Sequence, residues 1–141
     1  MRANQSEPRQ AAVIPVRRLK QQLEVCLIRR KGRDSWGIPK GFIDPGETSE
    51  ETALKEAHEE AGLEGCIAGA SVGTYTYEKW GAEFVVVVYV LEVQEELSKW
   101  QEMSVRERRW CSRQAAALLL ADHPVEPLFD RALSEFLRRR V

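Results

Sequence analysis

Residues 41–63 of this 141-residue chain read GFIDPGETSEETALKEAHEEAGL. The first seven letters contain two glycines and a proline, which is typical of a loop that lets the backbone approach a ligand. Thr48 and Glu51 have the spacing of a capping box, so the pattern predicts a helix from Ser49 to about Ala61. Gly62 follows as the expected C-terminal residue. The stretch therefore predicts a glycine-rich loop that leads directly into a helix.

Three glutamates share one face of this predicted helix. At about 100° per residue, Glu60 lies about 40° and Glu59 about −60° from Glu56. The neighbouring face is apolar and is expected to pack on a sheet; it consists of Ala53, Leu54, Ala57 and Ala61. A solvated acidic surface is one interpretation of the glutamates. The preceding loop favours the other, in which the carboxylates bind divalent cations, because Mg²⁺ prefers oxygen ligands.

The flanking sequence predicts an α/β chain. Residues 1–8 are expected to form a flexible tail and residues 9–141 a single domain. The apolar run from Phe84 to Val93 predicts a central strand that is buried on both faces. Ser112 is expected to cap a helix, and a last helix is expected up to Arg139. The other predicted strands are Ala11–Val16, Leu23–Ile28, Cys66–Gly69, Val72–Tyr77 and Arg108–Cys111.

Composition excludes several classes of protein. The chain is 43% hydrophobic and 30% charged with a net charge of −1, so it reads as globular, and nucleic acid is not expected as a partner. No apolar run approaches the roughly 20 residues that span a bilayer, and the N-terminus resembles no secretory signal. The cysteines are expected to be reduced interior residues. We therefore expect a cytoplasmic protein with no membrane partner, either a monomer or a homodimer.

Residues 41–63 resemble the Nudix box. The pattern is Gly, five residues, Glu, seven residues, Arg-Glu-aliphatic-any-Glu-Glu-any-Gly-aliphatic. The matching positions are Gly41, Glu47, Glu56, Ala57, Glu59, Glu60, Gly62 and Leu63. Lys55 departs from the pattern, because it stands where the family usually has the arginine that braces the glutamate matching Glu47. Lysine keeps the charge but not the two-pronged fork, so a weaker brace is expected.

The resemblance implies a fold, a cofactor and roles. The fold is an α/β/α sandwich with a mixed sheet, which is α+β in class. The reaction is hydrolysis of a phosphoanhydride bond by water attack at phosphorus with Mg²⁺, or Mn²⁺ as a substitute. Glu56 and Glu60 would be metal ligands, and Glu56 would also be catalytic. Glu59 would be the general base as well as a candidate ligand. The Gly41 carbonyl is a further candidate ligand, and Glu47 and Lys55 would support the site.

The segments around the box suggest a polyphosphorylated small molecule as substrate. Ser35–Gly41 resembles the W-x-x-P-K-G entry of diadenosine polyphosphate and diphosphoinositol polyphosphate hydrolases. Trp100–Glu102 and Arg106–Trp110 resemble the tail of the diphosphoinositol group. Trp36 could stack on a base or simply pack. The cationic residues expected to bind phosphates are Lys40, Arg29, Arg30, Arg9 and Lys79.

Several alternatives stay open at the level of sequence. Nucleoside triphosphates, nucleotide sugars and RNA 5′ ends are other diphosphate substrates of the same chemistry. A catalytically inactive Nudix module that senses a ligand is the alternative from a different class, although inactive modules usually lose box carboxylates. EF-hand and zinc sites are not supported, since the chain has neither an Asp/Asn loop nor a His/Cys cluster. His58 is expected on the exposed helix surface and His123 in a loop.

Overall fold

The computed structural model describes residues 7–139. Most of the predicted tail, residues 1–6, lies outside the described residues, and Glu7 and Pro8 precede the first strand without regular structure. Seven strands in the described part form one sheet: β1 Gln10–Leu19, β2 Gln22–Arg30, β3 Lys40–Phe42, β4 Leu63–Ile67, β5 Gly73–Lys79, β6 Ala82–Glu96 and β7 Arg106–Ser112. The helices are α1 Ser49–Glu56, which continues as a π-helical turn Ala57–Ala61, then α2 Arg113–Leu119 and α3 Glu126–Arg139.

The sheet is mixed, as predicted. Its main order is β4-β6-β1-β2-β7, with β3 paired to β1 and β5 paired to β6. Only the β1–β6 pairing among these strands is parallel. Strand β6 is buried from Val85 to Leu91, which confirms the predicted central strand. Its β-branched residues suit a strand that packs on both faces.

Helices cover both faces of the sheet and confirm the sandwich. Helix α1 and the π turn pack on one face through Ala53, Ala57 and Ala61, each fully buried. We call residues Ser49–Ala61 the acidic helix. Helices α2 and α3 pack on the other face, where Phe129 and Phe136 join a larger core. No helix within residues 7–139 is long and apolar enough to cross a membrane.

Some sequence predictions are wrong in detail. Leu54 does not pack on the sheet but is 37% exposed, because the sheet-facing stripe of the helix is narrower than predicted. Cys66 is exposed, unlike Cys26 and Cys111, since β4 lies at an edge. Strand β3 lies inside the region predicted to be a loop; it pairs with β1, so that Gly41 lies opposite Ala11. That pairing fixes the backbone that precedes the acidic helix.

Candidate active site

The start of the acidic helix is fixed by local hydrogen bonds. The Thr48 hydroxyl accepts from the Glu51 backbone N–H at 3.0 Å, and the Glu51 carboxylate accepts from the Thr48 N–H at 2.9 Å. This is the predicted capping box. It satisfies N–H groups that a helix start would otherwise leave unpaired, and so it sets where the helix begins.

Lys55 braces the loop against the helix. Its ammonium group donates to Glu47 at 2.8 Å and to Asp44 at 3.0 Å, while the Thr52 hydroxyl donates to Glu47 at 2.7 Å. The hydrogen bond from Lys55, and then the one from Thr52, lowers the pKa of the Glu47 carboxyl. Bonds to Glu47 and Asp44 raise the pKa of Lys55. A lysine here replaces the expected two-pronged contact with one ammonium shared by two carboxylates.

The π-helical turn brings Glu56 and Glu60 together. A π turn bonds each N–H to the carbonyl five residues back, so it turns less per residue than an α turn. Residues four apart therefore stay on one face, whereas residues three apart separate. The carboxyl groups of Glu56 and Glu60 lie within hydrogen-bonding reach of each other. Burial raises the pKa of both carboxyls, and Glu60 is only 8% exposed.

Gly41 leaves the space that Glu56 occupies. A methyl group at Gly41 would lie 2.3 Å from the carboxyl carbon and from Oε2 of Glu56. The neighbouring Lys40 N–H donates to Oε1 of Glu60 at 3.3 Å. Strand β3 therefore lines both carboxylates with backbone instead of side chains. The Gly41 carbonyl stays a predicted metal ligand.

Glu59 lies apart from this pair. Its side chain is partly exposed and, among residues 7–139, makes no hydrogen bond or ion pair. The π turn explains the separation, because Glu59 is three residues after Glu56. The carboxylate still lies near enough to raise the pKa of Glu56 by repulsion. The structure thus divides the three predicted glutamates into a close pair, of which Glu60 is buried and Glu56 half-buried, and a freer neighbour.

A cavity with basic side chains adjoins the carboxylate pair. It has a volume of about 270 Å³. We call it the basic cavity; its charged lining consists of Arg29, Arg30, Arg33, Lys40 and Arg106, and its rings are Trp36 and His123. Arg106 reaches the acidic pair, with 3.5 Å between its guanidinium and Oε2 of Glu60. The cavity can hold several anionic groups beside the carboxylates.

The predicted phosphate-binding residues divide between three places. Lys40, Arg29 and Arg30 line the basic cavity. Arg9 instead lines a different cavity, of about 740 Å³, together with Phe42. Lys79 lies at the exposed end of β5, with its ammonium group 4.6 Å from the Trp80 ring centroid. The structure thus does not bring Arg9 and Lys79 into the basic cavity.

Trp36 is mainly a packing residue of the cavity wall. It is 8% exposed and belongs to the core under α2 and α3. The Arg29 guanidinium lies 4.5 Å from its ring centroid and also pairs with Glu107 at 3.0 Å. One side of Trp36 is therefore already covered by a cation, so a base has little of its face to stack on.

The family of the chain follows from its match to a family model. A family model described as NUDIX domain matches residues 7–132. The chain belongs to the Nudix family. The predicted family and its fold are thereby confirmed. The acidic helix, residues Ser49–Ala61, is called the Nudix helix from here on.

The similar Nudix proteins differ in the activity that their names state. "Nudix hydrolase 13, mitochondrial" of Arabidopsis thaliana is 32% identical over 127 residues, which are 83% of this chain and 61% of that protein. The chain spans about three fifths of the length of the first curated relatives it matches. A "Putative 8-oxo-dGTP diphosphatase" of Bacillus subtilis is 35% identical over 65 residues, covering 46% of this chain and 43% of that protein. A crystal structure of a C. elegans Ap4A hydrolase binary complex superposes with a TM-score of 0.73 at 25% identity, covering 92% of this chain and 96% of that one.

The donor set beside the Nudix helix fits a hard cation. Within residues 7–139 no group of three or more His, Cys, Asp or Glu side chains is arranged as a metal site. Two carboxylates with raised pKa values nevertheless face each other where Gly41 contributes only backbone. Mg²⁺ is typically held by one or two carboxylates together with water and substrate phosphates. Glu56 and Glu60 are therefore suited to hold Mg²⁺ together with its substrate.

Sequence reasoning missed two members of this Nudix site. His123 lies in the loop between α2 and α3, as expected, and from there its ring lies beside Gly37, faces Tyr75 and lines the basic cavity. Burial, followed by the charge of Lys40, lowers the pKa of His123 to about 4, so its neutral form prevails. The sequence singles out Arg106 only as part of the segment Arg106–Trp110, which resembles the tail of the diphosphoinositol group. No local signal marks either residue, because each reaches the site through the fold.

Proposed function

We propose that the chain is a Mg²⁺-dependent hydrolase that cleaves phosphoanhydride bonds by attack of water at phosphorus. The observation that carries the proposal is the close Glu56–Glu60 carboxyl pair, with Glu60 buried and Glu56 half-buried, beside the basic cavity. Such a pair is costly to ionise alone, and it becomes favourable when a divalent cation neutralises it. The matched family and the hydrolases among its named members support the same reaction.

Each residue of the site has a proposed role. Glu56 and Glu60 hold the metal, with the Gly41 carbonyl as a further ligand. When bound there, Mg²⁺ would offset the charge that develops on the phosphate and would favour ionisation of the attacking water. Glu59 accepts the proton of the attacking water, since its carboxylate is free of other partners and adjoins the pair. Lys40 and Arg106 bind phosphate oxygens, and Lys55 with Glu47 holds the loop.

The basic cavity favours a substrate with several phosphates. Five cationic side chains line a space of about 270 Å³, more than a single diphosphate requires. We therefore propose diadenosine polyphosphates or diphosphoinositol polyphosphates as substrates. The similarity to a C. elegans protein described as an Ap4A hydrolase supports the first of these. The compartment stays a prediction: we expected the cytoplasm, and the similar A. thaliana protein is named as mitochondrial.

Product analysis with three substrates tests the proposal. The purified chain is incubated with Mg²⁺ and with diadenosine tetraphosphate, an inositol pyrophosphate or a nucleoside triphosphate. We expect cleavage of one of the first two, loss of activity in EDTA, and recovery with Mg²⁺ or Mn²⁺. Glu59→Gln should lower kcat by about 10²-fold or more if Glu59 is the base. Glu50→Gln, on the exposed side of the same helix, is the matched control and should leave kcat unchanged.

The possible results separate the alternatives. Cleavage of the nucleoside triphosphate alone would refute the substrate class but not the hydrolase. A chain that binds these compounds and releases no product would instead be a ligand-sensing module. A loss of less than about tenfold in Glu59→Gln would remove Glu59 from the role of base.

A further inference from the structure

The C-terminal end of the Nudix helix is bound by one distant segment. The last carbonyl groups of a helix have no partner within it. Here the carbonyl of Glu60 accepts from the Trp100 indole N–H at 3.0 Å, and that of Ala61 accepts from Arg108 at 2.7 Å. The carbonyl of Glu59 accepts from the Glu102 N–H at 3.0 Å. Three consecutive carbonyls are thus satisfied from residues 100–108.

Trp100 and Arg108 hold each other in place. The Arg108 guanidinium lies 4.0 Å from the Trp100 ring centroid and also donates to the Leu97 carbonyl at 2.6 Å. A methyl group at Gly62 would lie 2.8 Å from both side chains. Gly62 has a φ of +65°, so glycine serves both the turn and the close approach of this pair. The contact is packed and specific rather than a loose surface pairing.

The same segment also reaches the carboxylate of Glu60. Arg106 lies between Glu60 and Glu102, with N–O distances of 3.5 Å and 2.6 Å. Glu60 is therefore held twice, by its carbonyl through Trp100 and by its side chain through Arg106. A π turn is rare and occurs mostly as a single turn inside an α-helix. Here residues 100–108 bind the last three of its five carbonyl groups. An α-helical turn would leave Glu60 on the same face but rotate it by about 40° from Glu56.

We propose that Trp100 and Arg108 are positioning residues of the site. By binding the carbonyls of Glu60 and Ala61, they keep the π turn, which aligns the side chains of Glu56 and Glu60 more closely than an α turn would. This inference rests on the proposed function, since it assumes that the carboxyl pair holds the metal. Neither side chain touches the pair itself, so their effect is expected on metal affinity and on kcat, not on KM for the substrate.

Trp100→Phe tests the indole contact, because it removes the N–H and keeps an aromatic ring under Arg108. The chain offers a matched control. Trp110 donates its own N–H to Glu96 at 3.0 Å and lies beneath Arg17 at 3.8 Å, yet it contacts no carbonyl of the Nudix helix. We expect Trp100→Phe to weaken binding of Mn²⁺, titrated alone by electron paramagnetic resonance, about three- to tenfold, the equivalent of one hydrogen bond. The kcat should fall by a similar factor. Trp110→Phe alters only the Glu96 carboxylate, which Arg108 also contacts at 3.1 Å, and should change both quantities less.

A second pair of variants covers the arginine. Arg108→Lys keeps the charge but loses the planar fork whose two Nη groups reach the carbonyls of Ala61 and Leu97, whereas Arg17→Lys makes the same exchange beside Trp110. Hydrogen exchange of the amides in residues 57–62 should accelerate in Trp100→Phe and Arg108→Lys only. Thermal unfolding confirms that each variant is folded.

The readouts distinguish this inference from the proposed function. Equal Mn²⁺ affinity and kcat in wild type and folded Trp100→Phe would overturn the inference, as would equal losses in Trp100→Phe and Trp110→Phe. A wild-type chain that cleaves no diphosphate compound would instead overturn the proposed function. The exchange comparison would then still decide whether Trp100 holds the π turn, and unchanged exchange would refute that as well.

Discussion

Replacing Gly41 with alanine should separate the activity of this chain from its stability. The added methyl carbon would lie 2.3 Å from the carboxyl carbon of Glu56. An ordinary contact between two carbons is about 3.5 Å, so the carboxylate must retreat by about 1 Å. A displacement of about 1 Å at a reacting group is enough to lower the rate by about 10²-fold. We therefore expect kcat/KM of Gly41→Ala to fall by about two orders of magnitude.

The folded state should tolerate the same change. The clash is with the far end of a flexible side chain, and Gly41 does not have a positive φ. Alanine also restricts the unfolded chain, which contributes about 0.4–1 kcal/mol in favour of folding. Gly65 is the informative comparison, because a methyl group there would lie 2.0 Å from the backbone oxygen of Glu92. Gly65→Ala should lose stability, since a paired strand cannot move aside.

The assay pairs urea unfolding with steady-state kinetics on the best substrate. The free energy of unfolding of Gly41→Ala is expected to lie within about 1 kcal/mol of the wild-type value, which is a small effect for a single substitution. If Gly41→Ala kept more than half of the wild-type kcat/KM, the contact between Gly41 and Glu56 would not matter for the reaction. If it instead unfolded as readily as Gly65→Ala, the loss of activity would say nothing about the site.

Two further predictions concern the loop brace and pH. Lys55→Ala should lower kcat/KM about tenfold or more, because it removes the cation that binds Glu47 and Asp44. Lys55→Arg should retain activity, because it keeps that cation. Equal values of kcat/KM in the two variants would contradict a bracing role. The pKa of His123 is about 4 in the folded chain against 6.5 for the free group, so its contribution to stability is complete above about pH 6.5 and is lost as the pH falls towards 4. Urea unfolding at about pH 7.5 and about pH 5 should show a loss of about 2 kcal/mol that His123→Gln lacks, and an equal loss in that variant would exclude His123 as the cause.

The sequence predicts correctly those structural features that depend on residues close to one another in the chain. The capping box at Thr48 depends on residues three apart, so its pattern carries all the information that the structure uses. The valine run in β6 likewise predicts a strand buried on both faces, because β-branched residues suit such a strand. The helical spacing of the glutamates places Glu56 and Glu60 together in either an α or a π turn.

Features that depend on distant contacts were not predictable. An α-helical wheel places Glu59 with the pair, but the π turn moves it aside, and the last carbonyls of that turn are bound by Trp100 and Arg108, about forty residues later. His123 gives no sign of its role until the fold sets it beside Gly37. Lys40 was expected to bind phosphate with its side chain, while its backbone contact to Glu60 follows only from the pairing of β3 with β1.

Strand β3 gives Lys40 contacts on both sides of the sheet. Its N–H reaches Glu60 of the Nudix helix, and its ammonium group contacts the Tyr77 hydroxyl at 3.3 Å, against the core under α2 and α3. Every residue except proline supplies that N–H. The side chain at position 40 can therefore be exchanged while the Glu60 carboxylate keeps its backbone contact. The proposed phosphate contact of Lys40 and the proposed metal site are in this way separable targets for protein engineering.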